Sequence, residues 1–187
     1  MITDKDRSYY IGASDTDKVI GSWKTKSWLA WWMQKIGVNK DHFENRYMKA
    51  GNAYEHRILQ ALNIPGMRLD EQIINETLRL RVNYDGTTAD CIYECKTFQK
   101  EKGFQPSPKH INQVRVQMFA KGVYRAKIVA YGLEPADYED LNRPVDPRRI
   151  QLYDVSYDPV WISTVYLPKL RTLADALKRG VMPQEMP

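Results

Sequence analysis

The chain has only two cysteines and three histidines among its 187 residues, and this scarcity excludes several kinds of metal site. Cys91 and Cys95 cannot supply the four thiolates of a cysteine-only zinc or iron–sulfur site. On a single strand the two would lie roughly 13 Å apart, beyond the ~7 Å limit for a disulfide. We therefore expect two small buried side chains. His42, His56 and His110 are scattered and lack a ligand spacing such as His-x-x-x-His.

Long apolar runs, internal repeats and several catalytic signatures are also missing. No stretch approaches the 18 apolar residues of a membrane-spanning helix, and the first six residues contain no apolar signal core. There is no glycine-rich phosphate loop, no nucleophilic serine in a Gly-x-Ser-x-Gly turn and no Cys–His arrangement. These absences predict a soluble, intracellular protein and argue against P-loop and serine- or cysteine-hydrolase chemistry.

The composition is globular and the charge balance is basic. Hydrophobic residues make up 43% and charged residues 27% of the chain, which argues against wholesale disorder. A length of 187 residues fits a single domain, 1–187, that can bury a core without disulfides. The formal net charge is +5 and the pI is near 9.1, a balance that suits binding of a polyanion.

Hydrophobic periodicity predicts both helices and strands. Helical patterns cover residues 28–36 (between Ser27 and Gly37), 45–62, 107–121 and 158–179, the last kinked at Pro168. Alternation and short apolar runs predict strands over 78–82, 91–98, 126–131 and 150–155, with a surface loop over 134–149. This order predicts an α/β domain with a mixed central sheet flanked by helices.

The stretch Asn83-Tyr-Asp-Gly-Thr-Thr-Ala-Asp-Cys-Ile-Tyr-Glu-Cys-Lys96 carries the clearest chemistry. Side chains of a strand alternate faces, so Glu94 and Lys96 share one face with Ile92, while the cysteines take the other. A carboxylate beside an ammonium can hold a hard cation such as Mg²⁺ and orient a water against a phosphodiester. Asp85, nine residues earlier, could supply a second carboxylate. The alternative is a cross-strand ion pair on a solvated sheet, worth about 0–1 kcal/mol.

Two predicted helices carry polar residues that invite a functional interpretation. Glu55 shares a helical side with Gly51 and apolar neighbours, and a carboxylate there is costly unless it is paired or metal-bound. Gly51 leaves room for a close neighbour. The alternative is that Glu55 reaches water at the edge of the stripe. Gln113 and Gln117, at i and i+4, could hold a metal-bound water or a phosphate oxygen, or could be exposed polar positions.

Five segments occur in one order at compatible spacings: Arg7-Ser-Tyr-Tyr-Ile-Gly-Ala-Ser14-Asp, Ala50-Gly-Asn-Ala-Tyr-Glu55, Asp85-Gly86, Glu94-Cys-Lys96 and Asn112-Gln113-Val-Arg-Val-Gln-Met. Together they resemble the PD-(D/E)xK nuclease superfamily, and more closely the YqaJ-type phage recombination exonucleases related to lambda exonuclease. The resemblance covers roughly residues 7–131. It implies a restriction-endonuclease-like core.

The resemblance also implies catalytic roles for individual side chains. Glu55, Asp85 and Glu94 correspond to the metal ligands of the family. Lys96 corresponds to the residue that aids the nucleophilic water, and Gln113 matches the active-site glutamine.

Further positions correspond to contacts with the substrate. Arg7 and Ser14 match positions that grip a terminal 5′-phosphate. The related enzymes often carry Ser-Pro before the Asp-Gly pair, whereas this chain has Asn83-Tyr84, so a phosphate contact there would come from Asn83. Asp90 is an alternative to Asp85 as a metal ligand, although Asp85 has the glycine that follows it in the family.

The activity implied by the resemblance is a Mg²⁺-dependent exodeoxyribonuclease, with Mn²⁺ as an alternative and one or two ions in the site. Such an enzyme degrades linear double-stranded DNA from its ends, 5′→3′, to mononucleotides in phage-type homologous recombination. The resemblance further implies a homotrimeric ring, a single-strand annealing recombinase as partner, no membrane, and the cytoplasm of a bacterial host carrying the phage or prophage. The alternatives are a structure-specific or restriction-type endonuclease and a non-catalytic DNA-binding adaptor.

Overall fold

The computed structural model of the protein describes residues 8–38 and 45–184, so His42 lies outside the described residues. The strands are β1 (Ile11–Gly12), β2 (Arg68–Asn75), β3 (Leu80–Thr87), β4 (Cys91–Gln99), β5 (Arg125–Leu133) and β6 (Ile150–Ser156). The α-helices are α1 (Thr16–Ile20), α2 (Lys26–Lys35), α3 (Arg46–Ala61), α4 (Pro108–Lys121), α5 (Pro135–Glu139), α6 (Pro159–Trp161) and α7 (Leu167–Arg179).

The strands form one mixed sheet in the order β1-β3-β4-β5-β6, with β2 paired to β3. The pairs β1·β3 and β4·β5 are parallel, whereas β2·β3, β3·β4 and β5·β6 are antiparallel. Helices pack on both faces of this sheet. The predicted α/β fold with a mixed central sheet is therefore confirmed.

One edge of β3 is shared by two strands. β2 pairs with β3 along its whole length, Leu80–Thr87. On the opposite edge, β1 pairs with residues 80–81 and β4 pairs only with residues 86–87. Residues 82–85 of β3 thus have no strand partner on that edge among the described residues. We call the opening between residues 82–85 of β3 and 94–96 of β4 the notch.

The alternation along β4 divides the core into two layers. Ile92 belongs to a large cluster with residues of α2, α4 and α7, whereas Cys91, Tyr93 and Cys95 pack with α3. Both cysteines are buried and unbridged, as the sequence predicts. Glu94, on the Ile92 side, therefore points toward α4.

Capping residues set the ends of α3 and α4 close to their predicted positions. The Asn45 side chain accepts the N–H of Met48 at the start of α3. Ser107 caps α4, Pro108 is its first residue, and Gly122 ends it with a φ of 73°. These two helices matter most for the site because they carry Glu55 and Gln113.

Two predicted elements, a helix and a strand, have different bounds in the structure. α2 begins at Lys26, ahead of the predicted start, because Thr25 rather than Ser27 accepts the N–H of Trp28. The strand predicted over 78–82 runs over Leu80–Thr87, because Leu78 lies in the turn between β2 and β3. In that turn the Asn75 side chain accepts the N–H of Leu78.

The segment predicted as a loop over 134–149 contains the helix α5 and is tied to the body of the protein. Asp137 is fully buried and pairs with Arg149 at 2.6 Å. Arg57 on α3 donates to the backbone carbonyl of Arg143 at 2.9 Å and to that of Leu141. These contacts join residues that are distant in sequence. Charge and proline content therefore gave no sign of them, and the composition alone predicted a loop.

The last helical segment contains a π-helical turn, Ile162–Tyr166, between α6 and α7. This turn directly precedes α7, which has Pro168 in its first turn. The disturbance of the helix predicted at Pro168 is therefore present as a π-helical turn just before the proline. None of the described helices is long and apolar enough to span a membrane.

Candidate active site

Asp85 lies in the notch, where its side chain accepts a backbone hydrogen bond that a paired strand would otherwise accept. Its Oδ2 accepts the backbone N–H of Cys95 at 2.8 Å. The carboxylate therefore occupies the position that a backbone carbonyl would have if the β3·β4 ladder continued. This bond fixes Asp85 relative to the β4 residues on either side of Cys95, which are Glu94 and Lys96.

Glu94 and Lys96 form a tight pair on the inner side of the notch. Lys96 Nζ lies 2.6 Å from Glu94 Oε1. Only 3% of the Glu94 side chain and 24% of the Lys96 side chain are exposed. A pair on a solvated sheet surface would be far more accessible, so that alternative is wrong. A buried carboxylate needs partners for both oxygens.

The helix α4 supplies those partners through its two glutamines. Gln113 Nε2 donates to Glu94 Oε1 and Gln117 Nε2 donates to Glu94 Oε2, each at 2.5 Å. Lys96 also donates to Gln113 Oε1 at 3.3 Å. Gln113 and Gln117 are 8% and 1% exposed, so the interpretation as exposed polar positions was wrong. Their i and i+4 spacing lets one helix face hold both oxygens.

Glu55 lies on α3, which packs on the face of the sheet opposite to α4. It is half-buried. Gly51, one turn earlier, lies close to Thr97, which follows Lys96: a Cβ added at Gly51 would be 3.1 Å from Thr97 Oγ1. The close approach expected at Gly51 is therefore present. It brings the helix against the end of the strand that carries Glu94 and Lys96.

Glu55 also lies beside a contact between a histidine and a carboxylate that the sequence did not suggest. His56 Nε2 is 3.0 Å from Asp70 Oδ2, and ligand atoms of Glu55, His56 and Asp70 lie within 4.8 Å of one another. Among the described residues, this is the one group of three candidate ligands that meets that limit; Glu55, Asp85 and Glu94 are more widely spaced. The sequence spacing of Asp70 gave no signal for this contact.

The carboxylates disturb one another's protonation. Burial raises the pKa of Asp85 well above its usual value, and the charges of Glu94 and Glu55 raise it further against the opposing effect of Lys96. Burial and the charge of Glu94 likewise raise the pKa of Glu55. Burial alone would lower the pKa of Lys96, but Glu94 and Asp85 outweigh it, so the pKa is raised and the ammonium persists. Asp85 and Glu94 thus share the ammonium of Lys96.

A cavity of about 230 Å³ opens from this cluster. Asp85, Glu94 and Gln113 line one part of it, and Ser14 and Asn83 line it as well. Other residues on its wall include the basic residues Lys35 and Arg81. The structure thus brings Ser14 and Asn83 to the same space as the acidic residues. Arg7 lies outside the described residues.

Asp90 lies away from this cavity. It sits on the exposed turn between β3 and β4, where its carboxylate pairs with Arg125 at 2.7 Å. The Thr88 hydroxyl and Arg125 lower the pKa of this carboxylate below its usual value. The choice of Asp85 over Asp90 as the candidate ligand agrees with this geometry.

The residues together offer an all-oxygen cation site with a protonated amine alongside, which is the donor set that hard divalent ions prefer. The sequence matches the family model of the YqaJ-like viral recombinase domain over residues 4–129. The chain belongs to this family. It is accordingly a nuclease of the phage recombination type that hydrolyses DNA. No curated protein matches the chain.

The fold is similar to those of solved exonucleases. LHK-Exo, an alkaline exonuclease from Laribacter hongkongensis, was solved in complex with dAMP; it is 18% identical, with a TM-score of 0.69 over 91% of this chain and 88% of that chain. A phage-related exonuclease from Haemophilus somnus 129PT is 15% identical, with a TM-score of 0.65 over 91% of this chain and 95% of that chain. These similarities confirm the predicted restriction-endonuclease-like fold, and the family match confirms the YqaJ resemblance.

Proposed function

We propose that the protein is a Mg²⁺-dependent exodeoxyribonuclease that degrades linear double-stranded DNA from its ends, 5′→3′, in phage-type recombination. The observation that carries the proposal is that Asp85 and Glu94 line one cavity beside Lys96, with Glu55 near enough for its charge to raise the pKa of Asp85. Burial and mutual repulsion raise the pKa of Asp85 and of Glu55, and a divalent cation among these carboxylates would offset the repulsion and favour their charged forms. Oxygen donors suit Mg²⁺, with Mn²⁺ as an alternative.

The number of ions would be one or two. Asp85 and Glu94 would share one ion in the notch. Glu55 lies near both this pair and the His56–Asp70 pair, so it would serve either a single ion or a second one. A bound divalent ion would lower the pKa of a coordinated water and neutralise charge on the scissile phosphate.

The chain's own residues would position the water and the phosphate. Lys96 keeps its proton because its pKa is raised, so it would donate a hydrogen bond to the attacking water or the phosphate rather than accept a proton. Gln113 contacts both Lys96 and Glu94 and would hold the two at a fixed separation.

The 5′ end would enter the cavity lined by Ser14 and Asn83. At about 230 Å³ the cavity is smaller than a typical small-molecule site, so it suits a terminal phosphate rather than a duplex. We propose Ser14 and Asn83, with Arg7, as phosphate contacts. The LHK-Exo complex with dAMP supports a site for one nucleotide in this fold.

End dependence separates this proposal from an endonuclease of the same fold. We expect Mg²⁺-dependent release of mononucleotides from linear duplex carrying a 5′-phosphate, slower release from a 5′-hydroxyl end, and no cleavage of covalently closed circles. A time course with these three DNA substrates, the linear ones end-labelled, measures the dependence of cleavage on a DNA end. Nicking or linearisation of closed circles would favour the endonuclease.

Lys96→Ala tests the assignment of the site. General acid–base and positioning roles contribute about 10²–10⁴-fold, so cleavage should fall by at least 10²-fold while DNA binding is kept. Lys127→Ala is a matched control, because Lys127 on β5 pairs with the exposed Asp154 on β6 rather than with a residue of the notch. Metal-dependent cleavage at the wild-type rate in Lys96→Ala would place the chemistry elsewhere. A wild-type protein that binds DNA without cutting it would favour the adaptor.

The remaining parts of the proposal concern assembly and context. We propose residues 1–187 as a single nuclease domain that forms a homotrimer, acts on double-stranded DNA in the bacterial cytoplasm, and cooperates with a single-strand annealing recombinase. Light scattering on the eluting protein tests the trimer. A mass of three times the 21.9 kDa chain is expected, and a mass of one chain would contradict it.

A further inference from the structure

Gln117 occupies a second position of contact between α4 and the notch. Its Nε2 donates to Glu94 Oε2 on β4 at 2.5 Å and lies 3.4 Å from the backbone carbonyl of Asn83 on β3. One amide group therefore spans the two strands at the point where their ladder is interrupted. Asn83 is two residues from Asp85, and Glu94 is adjacent to Cys95, to which Asp85 is bonded.

The orientation of this amide follows from its neighbours. If the amide nitrogen and oxygen were exchanged, Oε1 would face the Glu94 carboxylate and the Asn83 carbonyl, two acceptors with no hydrogen to share. Gln117 Oε1 accordingly points away from both. It is buried and has no hydrogen-bond partner among the described residues.

The two ends of the Gln117 amide are therefore unequally satisfied: the nitrogen has two acceptors and the oxygen has no partner among the described residues. A buried acceptor without a partner is costly, and the same cost would fall on Glu94 Oε2 if Gln117 lost its donor group. The side chain is 1% exposed, so it gains nothing from solvent. What the amide provides is the pair of donor contacts across the notch.

We propose that Gln117 is a positioning residue that sets the separation of Asp85 and Glu94 and thereby the affinity of the site for a divalent ion. This inference rests on the proposed function, because it takes Asp85 and Glu94 as ligands of that ion. With one oxygen held by Gln117 and the other by Gln113 and Lys96, Glu94 has its orientation fixed before an ion binds. Partners of ligating carboxylates commonly change metal affinity by about 10–100-fold when they are removed.

The test replaces Gln117 by Met, which keeps the length and volume but removes the donor. Mn²⁺ binding to the protein without DNA is measured by calorimetry, and the unfolding temperature is measured in chelator. We expect the Kd for Mn²⁺ to rise by about tenfold or more, and the unfolding temperature in chelator to fall, because the buried Glu94 Oε2 loses its donor. The Mg²⁺ concentration needed for half-maximal cleavage should rise, and kcat at saturating Mg²⁺ should be largely kept.

Tyr84→Phe is the matched control, because it also removes a hydrogen bond to Gln117 of α4 but leaves the Gln117 side chain in place. The Tyr84 hydroxyl donates to the backbone carbonyl of Gln117 at 3.2 Å, whereas the side-chain donors to Glu94 are Gln113, Gln117 and Lys96. This variant should lower the unfolding temperature and leave the Kd for Mn²⁺ within about twofold of the wild type. Gln117→Leu serves as a second donor-free variant if the methionine does not pack.

The outcomes separate this inference from the function on which it rests. A wild-type Kd for Mn²⁺ in both Gln117→Met and Gln117→Leu would overturn the positioning role. Weakened Mn²⁺ binding in those variants would support it even if the wild type proved inactive on DNA, an outcome that removes only the proposed activity. A wild-type protein that binds no Mn²⁺ would overturn both.

Discussion

The carboxylate of Asp85 and the backbone N–H of Cys95 form a hydrogen bond of 2.8 Å across strands that are not paired at this point. The bond stabilises the fold because it satisfies the Cys95 N–H in a buried strand. It also fixes the position of one oxygen of the Asp85 carboxylate in the site. It also explains why the notch stays open next to a regular β4·β5 ladder, which continues from Cys91 to Gln99.

Asp85→Asn should separate stability from activity. The asparagine Oδ1 can still accept the Cys95 N–H, while the buried negative charge beside Glu94 and Glu55 is removed. We expect the free energy of unfolding in chelator at neutral pH to rise by on the order of 1 kcal/mol and cleavage to be lost. Denaturant titration and a nuclease assay measure the two effects. A destabilised variant would contradict the repulsion inferred at this site.

The raised pKa of Asp85 also predicts a pH dependence of stability. A carboxyl whose pKa is higher in the folded state binds more protons there than in the unfolded chain, so its contribution to the free energy of unfolding falls as pH rises above about 4 toward neutrality. The difference between wild type and Asp85→Asn in chelator should therefore grow with pH. Saturating Mg²⁺ should reduce this difference, because the ion favours the charged form. Unfolding curves at several pH values check it, and a difference independent of pH would refute it.

Local patterns were sufficient to predict much of the fold and the shared face of Glu94 and Lys96. Alternation placed Glu94 and Lys96 on one face of β4, and hydrophobic periodicity with start and stop signals placed α3 and α4, because these features depend on neighbours in sequence. The burial of Gln117 and the contact between His56 and Asp70 depend on how α4 and β2 pack against distant elements. No sequence period encodes such packing, and the same reason applies to α5, which is held by Arg57 from α3.

Gly51→Ala should show how the approach of α3 positions Glu55. Alanine favours a helix by about 1 kcal/mol over glycine, so the helix itself gains. The new Cβ would lie 3.1 Å from Thr97 Oγ1, however, and would press α3 away from β4. We expect little change in the unfolding temperature and a several-fold fall in kcat or in Mn²⁺ affinity, because catalysis is sensitive to small displacements.

Thr97→Ala provides the matching test, since it removes the atom that the new methyl group would meet. The double variant Gly51→Ala/Thr97→Ala should recover most of the loss seen in Gly51→Ala, as a double-mutant cycle would measure. If the two losses simply add, the close approach at Thr97 is not what limits the position of Glu55.

The buried pair of Asp137 and Arg149 should matter for stability rather than for chemistry. Asp137 is fully buried, lies 2.6 Å from Arg149 and 3.3 Å from Arg143, and accepts the N–H of Glu134. Asp137→Ala leaves the arginines without their partner, and breaking a buried pair in this way costs about 3–5 kcal/mol.

The exposed pair of Lys127 and Asp154 is the control, because Asp154→Ala removes a carboxylate that is 85% exposed and should change stability little. Denaturant titration compares the two variants. Equal stability would contradict the anchoring of 134–149, whereas a destabilised Asp137→Ala with wild-type Mn²⁺ affinity would confirm that this cluster supports the fold and not the ion site.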